Sequence, residues 1–167
     1  MEITMVMVMS ADGFVTHGED GPSFAWASAE DREAFLSIVR ASDAVITGRN
    51  SFEGKGDMPR PYYVLTTQEN LPSFKNVFYV SGDAESVVSR IAADGHEKVV
   101  LLGGPKTNLI FVKAGLVDRL LLTVEPKLFG EGKPLIIGAK LDVSMKLCSV
   151  KRLNENGTLL LEYELMN

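Results

Sequence analysis

The sequence of 167 residues predicts an α/β fold: a mostly parallel central sheet flanked by helices, with an antiparallel carboxyl-terminal hairpin. Three observations carry this. Apolar strand-like runs alternate with helical stretches along most of the chain, as in strands joined by crossover helices. The run Ile3–Ser10, ITMVMVMS, is largely apolar on both alternating sets, as a strand covered on two faces must be. Asn156-Gly157 joins two further runs, Met145–Leu153 and Thr158–Met166, and is a strong hairpin signal.

Charged residues make up 23% and hydrophobic residues 46%, which suits one globular domain over 1–167. The formal charge is −5 and no Lys/Arg run occurs, so neither nucleic acid nor an anionic membrane is an expected partner. The apolar stretch Ile3–Met9 is too short to span a bilayer and follows Glu2 rather than a basic segment. No signal peptide and no membrane helix are therefore expected. The one cysteine, Cys148, has no internal disulfide partner, and a cytoplasmic location is expected.

After Ile3–Ser10, Ala11-Asp12-Gly13 supplies turn chemistry. Thr16–Ser23, THGEDGPS, is a polar glycine-rich loop long enough for a lid. His17 stands there without a second ligand at metal spacing, so no metal site is expected. Ser28 suits a helix N-cap, with Asp31 three residues on as a variant of the capping box. Phe35, Ile38 and Val39 give that helix its apolar face. Asp43–Thr47, DAVIT, is a strand leading into a strand-to-helix turn, Gly48-Arg49-Asn50-Ser51. Pro59-Arg60-Pro61 breaks the chain before the strand Tyr62–Thr66. Val77–Val80 is a short strand, Ala84–Ala93 a helix capped by Asp83, and the loop Asp94-Gly95-His96 leaves His96 exposed. Lys98–Leu102 is a buried strand, Thr107–Ala114 a helix stopped by Gly115, and Leu116–Glu125 the next strand. Lys127–Gly138 is loop-rich, and Cys148 in the hairpin reads as a small buried or half-buried residue.

Three turns carry ligand chemistry, each just after a strand: 48–51, 66–67 and Gly103-Gly104-Pro105-Lys106-Thr107. In an open α/β sheet such ends line one edge, and a helix N-terminus attracts phosphate. Gly103 and Gly104 let a diphosphate approach bare backbone; a tight turn without a ligand is the alternative. Arg49 suits a further phosphate on a ribose, with a plain surface charge as the alternative. Together the turns point to a nucleotide with several phosphates, although no G-x-G-x-x-G occurs. Asp31 has two readings. It is a carboxylate that accepts two hydrogen bonds from an aminopyrimidine edge and helps deliver a proton, or a first-turn acid favoured by the helix dipole. On the second reading Trp26 and Phe35 are ordinary core residues. Glu125, before Pro126 at a strand end, is a further candidate to meet the substrate.

Trp26, Asp31 and Phe35 fall at W-x4-D-x3-F spacing, and VITGRNSFE at 45–53 resembles a V-x-x-G-R-x-T-W-E segment. On these residues the chain resembles the dihydrofolate reductase superfamily. SADG at 10–13, the segment Ser28 to Asp43 with Arg32 and Arg40, and GLVDRLLLTVEPKLFGEG at 115–132 make it most similar to the reductase domain of riboflavin biosynthesis. The resemblance covers nearly the whole chain and implies a dihydrofolate-reductase-like fold with NADPH as cofactor. It implies that Arg49 and Ser51 contact cofactor phosphates, Thr66 and Thr67 the adenosine end, and Gly103 and Gly104 the diphosphate. Val8 would lie near the nicotinamide, and Thr123 near a catalytic Asp31. Gly48, Asn50, Pro105, Lys106 and Thr107 complete the cofactor turns, and Trp26 and Phe35 the substrate side. The implied activity is reduction of a pyrimidine or pterin-like heterocycle, of the 5-amino-6-(5-phosphoribosylamino)uracil reductase type. Dihydrofolate or another pteridine is the runner-up acceptor, and a nucleotide-binding module without turnover is a third reading. The resemblance also implies a homodimer, and Thr158–Met166, read as the outer hairpin strand and rich in Leu, is the sequence motive. One departure stands out: Phe14 follows SADG where the family usually has Lys.

Overall fold

The computed structural model describes residues 1–18, 23–52 and 56–166. The elements in chain order are β1 (Glu2–Ser10), α1 (Ala29–Ala41), β2 (Ala44–Gly48), β3 (Tyr62–Leu65), β4 (Val77–Val80), α2 (Ala84–Ala93), β5 (Lys98–Leu101), α3 (Pro105–Lys113), β6 (Arg119–Glu125), β7 (Ser144–Arg152) and β8 (Leu159–Met166). The strands form one sheet in the order β4-β3-β2-β5-β1-β6-β8-β7. Pairing is parallel from β4 across to β6 and antiparallel from β6 through β8 to β7.

The central strands are apolar on both sides because both sides are covered. Ile3, Met5, Ala44, Ile46, Val99 and Leu101 join one buried cluster with Val87 and Ile91 of α2 and Phe111 and Val112 of α3. The intervening Val6, Val45 and Val100 join a second cluster with Val39, Phe35 and Ile38 of α1. Successive strand residues point to opposite faces, so α1 lies on one face and α2 with α3 on the other. Burying each such Val, Ile or Phe contributes about 1.5–3 kcal/mol, which places the sheet's centre at the most stable part of the molecule.

Three aspartates clasp strand ends. Asp43 accepts from the backbone N–H groups of Glu97 and Lys98, tying the start of β2 to that of β5. Asp118 accepts from the N–H of Ile3 at 2.7 Å, tying β6 to β1. At the other end of the sheet Asp12 accepts from the N–H groups of Phe129 and Gly130 and from the Ser10 hydroxyl. The Ser10 and Gly130 hydrogen bonds hold the Asp12 carboxyl below its ordinary pKa. Arg60 has a similar structural role: its Nη1 donates to the carbonyls of Arg40 and Ser42, at the last turn of α1 and just past it.

Several expectations need correction. The outer strand of the hairpin is β7, not Thr158–Met166, because β8 inserts between β6 and β7. β7 is exposed along its whole length, and Cys148, at an irregularity between Leu147 and Ser149, is exposed rather than buried. No helix follows Gly48 among the described residues. Its carbonyl accepts from Ser51 and Phe52, each at 3.0 Å, and buried Phe52 ends the turn. His96 is half-buried against the ring of Tyr63. The lid expected over Thr16–Ser23 lies partly, at 19–22, outside the described residues.

Candidate functional site

Because β2, β3, β5 and β1 run the same way, their carboxyl ends open on one cleft of about 1320 Å³. A site for one small ligand occupies roughly 300–1,000 Å³, so this cleft has room for two.

One part of it is built from the three turns. The Gly48 N–H donates to the Gly103 carbonyl at 2.7 Å and the Thr47 hydroxyl to the same oxygen at 3.2 Å, locking β2 to the glycine turn. Gly103 has φ +84°, a conformation that favours glycine, and the Gly103–Gly104 peptide is cis. A Cβ on Gly48 would lie 2.4 Å from Thr107 Oγ1, and one on Gly104 2.7 Å from Ser51 Oγ. The turns therefore meet through bare backbone. Gly104 caps α3 without a side-chain hydrogen bond and Pro105 has no N–H. The first N–H groups of the helix, on Lys106 and Thr107, have no carbonyl one turn back to bond, and both residues line the cleft. Arg49 lines it as well, and its Nε is buried without a hydrogen-bond partner among the described residues. Such an orphan donor costs on the order of 1–3 kcal/mol, which an anionic oxygen would offset.

The charge of the lining agrees. Arg32, Arg49, Lys106 and Lys133 line the cleft with one acid, Asp31, among the described residues of a chain with net charge −5. The residues present thus fit a dinucleotide phosphate.

Asp31 and Thr123 mark the other part. The β1–β6 register sets Val8 beside Thr123, and Phe35 follows Asp31 by one turn of α1. Asp31 is 7% exposed, and its N–H donates to Ser28 Oγ at 3.2 Å. The reciprocal arm of the capping box is not Asp31, however. The Ser28 N–H donates to Glu125 Oε1 at 2.7 Å, which leaves the Asp31 carboxyl to the cleft. Burial pushes the pKa of that carboxyl up. The Thr123 hydroxyl hydrogen bond opposes this, the nearby Glu125 charge adds to it and Arg32 opposes it, with a net rise. A carboxyl so placed keeps its proton closer to neutral pH than an ordinary aspartate, as a proton donor needs.

The structure brings Val8, Asp31, Phe35, Gly48, Arg49, Asn50, Ser51, Thr66, Thr67, Gly104, Pro105, Lys106, Thr107 and Thr123 to the cleft wall. It does not bring Gly103, Trp26 or Glu125 there. Gly103 is buried behind the turn. Trp26 is buried edge-on to Phe129, 5.0 Å between ring centres. Glu125 is 2% exposed, with its second oxygen accepting from the Thr158 hydroxyl at 2.7 Å, so both oxygens serve the scaffold. The sequence reading passed over Met7, Phe52, Met58, Tyr62 and Leu160, which also line the cleft. Apolar residues in strands, such as Met7, Tyr62 and Leu160, or beside turns, such as Phe52 and Met58, carry no signal of their own. Ser81 and Gly82, also in the wall, did carry one: a turn directly after a strand, like the other three.

Residues 1–159 match the family model described as the RibD C-terminal domain. Among curated proteins, the uncharacterized protein YyaP of Bacillus subtilis is 23% identical over 167 residues, covering 89% of this chain and 87% of its own length. Among solved structures, a pyrimidine reductase-like protein from Corynebacterium diphtheriae has a TM-score of 0.83 at 15% identity, covering 99% of this chain and 92% of that one. Dihydrofolate reductase from Enterococcus faecalis, complexed with NADP(H), has a TM-score of 0.67 at 19% identity, with 99% and 97% covered. At these identities the structural likenesses establish the fold, which is dihydrofolate-reductase-like.

Proposed function

This chain belongs to the RibD C-terminal domain family, and from that premise we propose that it is an NADPH-dependent reductase of a pyrimidine or pterin-like heterocycle. The observation that carries the reading is the cleft itself: among the described residues, four cations and one buried acid around turns that meet through bare backbone, in an acidic chain. Arg49 and Ser51 hold cofactor phosphates, Thr66 and Thr67 the adenosine end, and Gly104 with the first turn of α3 the diphosphate. When bound, NADPH supplies the hydride. Asp31 accepts from the paired N–H groups of an amino-substituted ring edge and holds a proton for a ring nitrogen. Thr123 fixes that carboxyl, while Val8 and Phe35 exclude water around it.

Within this class the ribosylated aminouracil phosphate is the first acceptor and a pterin the second. One observation favours the second. Phe14, in the place of the family's usual Lys, bridges to Pro134 and does not line the cleft, whereas the buried Asp31–Thr123 pair does. No described helix is long and apolar enough to cross a membrane, and the compartment we favour is the cytoplasm. We also assign a homodimer. Met145, Leu147 and Val150 lie opposite Leu165, Tyr163 and Leu161 on one face of the β7–β8 ribbon, and all three are about half exposed. A second copy is the occupant that suits this face, since the opposite face alternates Lys146 and Ser149 with Glu164 and Glu162 and favours water.

NADPH oxidation measured against a panel holding a ribosylated aminouracil phosphate and dihydrofolate tests the function. Turnover of either names the acceptor. NADPH binding without turnover on any planar heterocycle would leave a binding module, and no NADPH binding would sink the reading.

A further inference from the structure

Asn108, on the first turn of α3, is wholly buried and does not itself line the cleft. Its backbone N–H donates to the Gly104 carbonyl at 2.9 Å, as the helix requires. Its side-chain Nδ2 reaches out of the helix and donates to the Leu135 carbonyl, also at 2.9 Å, across 27 residues of sequence. Its Oδ1 has no hydrogen-bond partner among the described residues and lies 3.5 Å from where a Gly103 Cβ would stand. One amide thus abuts the glycine turn and holds the segment 133–137, which enters the cleft through Lys133 and Ile137. That segment has no regular structure of its own. Lys133 is tied to Val15 and Thr16 and Pro134 bridges to Phe14, all in an equally irregular loop, while Leu135 and Ile136 pack against the core. Asn108 adds a hydrogen bond from α3, which Phe111 and Val112 anchor in the same core.

We propose that Asn108 is a positioning residue that couples the cofactor seat at Gly104, through Gly103 buried behind it, to the cleft wall at Lys133–Ile137, so that filling the seat orders that wall for the acceptor. This rests on the cofactor reading above. A ligand pressed against the glycine turn restrains the start of α3, and the amide carries that restraint to the Leu135 backbone. Two sites linked in this way bind cooperatively, because ordering done by the first ligand need not be repeated for the second.

The test is amide hydrogen exchange over residues 133–137 of the full chain, with and without saturating NADP⁺. In the wild type NADP⁺ should slow exchange there by about tenfold, within the usual range of coupling between sites. Asn108→Leu, branched at the same atom but apolar and somewhat larger, should bind NADP⁺ within about threefold of wild type and show less than about twofold slowing. A purely structural tie predicts another result: faster exchange in the variant by the same factor with and without NADP⁺. That result overturns the proposal, as does wild-type exchange that ignores bound NADP⁺. Calorimetric titration of the wild type separates the two levels, since absence of NADP⁺ binding removes the cofactor reading and this proposal together. Asn108→Ala replaces the Leu variant if that one fails to fold, and the wild-type measurement needs neither.

Discussion

Gly48→Ala is a one-carbon change whose effect follows from a single distance. The new Cβ would stand 2.4 Å from Thr107 Oγ1, well inside the 3.0 Å below which such contacts are essentially unknown. Thr107 has little room to yield. It is 7% exposed and β-branched, so its side chain has few alternatives in the first turn of α3. The start of the helix must then move away from β2, against the two hydrogen bonds that the Gly103 carbonyl accepts. Overpacking of this kind costs about 1–3 kcal/mol, which urea denaturation will read. The same shift displaces the helix N-terminus from the cleft, and NADP⁺ affinity by calorimetry should fall by at least about tenfold, or about 1.4 kcal/mol. Thr107→Ala deletes the offending hydroxyl. In the double variant stability and affinity should recover in part, with a coupling energy of about 0.5–3 kcal/mol. A Gly48→Ala protein as stable as wild type, or a double variant that loses the plain sum of the two single effects, would refute the packing described here.

Arg49→Ala should lower NADPH affinity by about 1.5–3 kcal/mol and leave NADH nearly unaffected, and equal wild-type affinity for the two cofactors would contradict its phosphate role. Asp31→Asn should retain NADPH binding and lose about 100-fold in turnover of the acceptor found by the panel. It should also change the pH dependence of stability. Because the folded-state pKa of Asp31 is raised, its contribution is fully present below the unfolded pKa and is lost as pH rises through the folded one. The Asn variant should therefore gain on wild type above that window and not below it; an unchanging difference across pH would show that the buried carboxyl does not titrate as described. Sedimentation at micromolar concentration should show a dimer, and Leu147→Lys, on the exposed face of β7, should dissociate it; a monomeric wild type ends that assignment.

Much of the scaffold was legible because it is written in local patterns. DAVIT and KVVLL are short β-rich apolar runs, and Asn156-Gly157 can hardly be anything but a hairpin turn. The grouping of turns 48–51, 66–67 and 103–107 followed from strand direction alone. What failed depends on contacts distant in sequence. Ser28 and Asp31 look like the two arms of a capping box, and only the fold reveals that Glu125 supplies one arm. Glu125 at a strand end looked available, yet its partners are Ser28 and Thr158. Cys148 was misplaced because small apolar residues in strands are usually covered, and β7 is an edge with neither face packed by a helix. Asp12 reads from sequence as turn chemistry and Asp118 only as part of a motif, and the fold shows that both hold strand ends together.

The position of β1 also shapes how the chain is made. β1 pairs with β5 and β6, so the strand made earliest of these eight sits at the middle of the finished sheet. Roughly 90 residues separate its end from Lys98, and at 5–20 residues per second it waits on the order of 5–20 s for a partner. During that interval a Met- and Val-rich segment with two apolar faces and two unpaired edges is exposed, which is the composition most prone to pairing with other chains. α1, β2, β3, β4 and α2 emerge before β5, yet they can only assemble three of the eight strands, whose open β2 edge awaits β5. Nascent chains arrested before Lys98 should accordingly hold β1 in a protease-sensitive state, and chains with β5 and β6 clear of the ribosome should protect it.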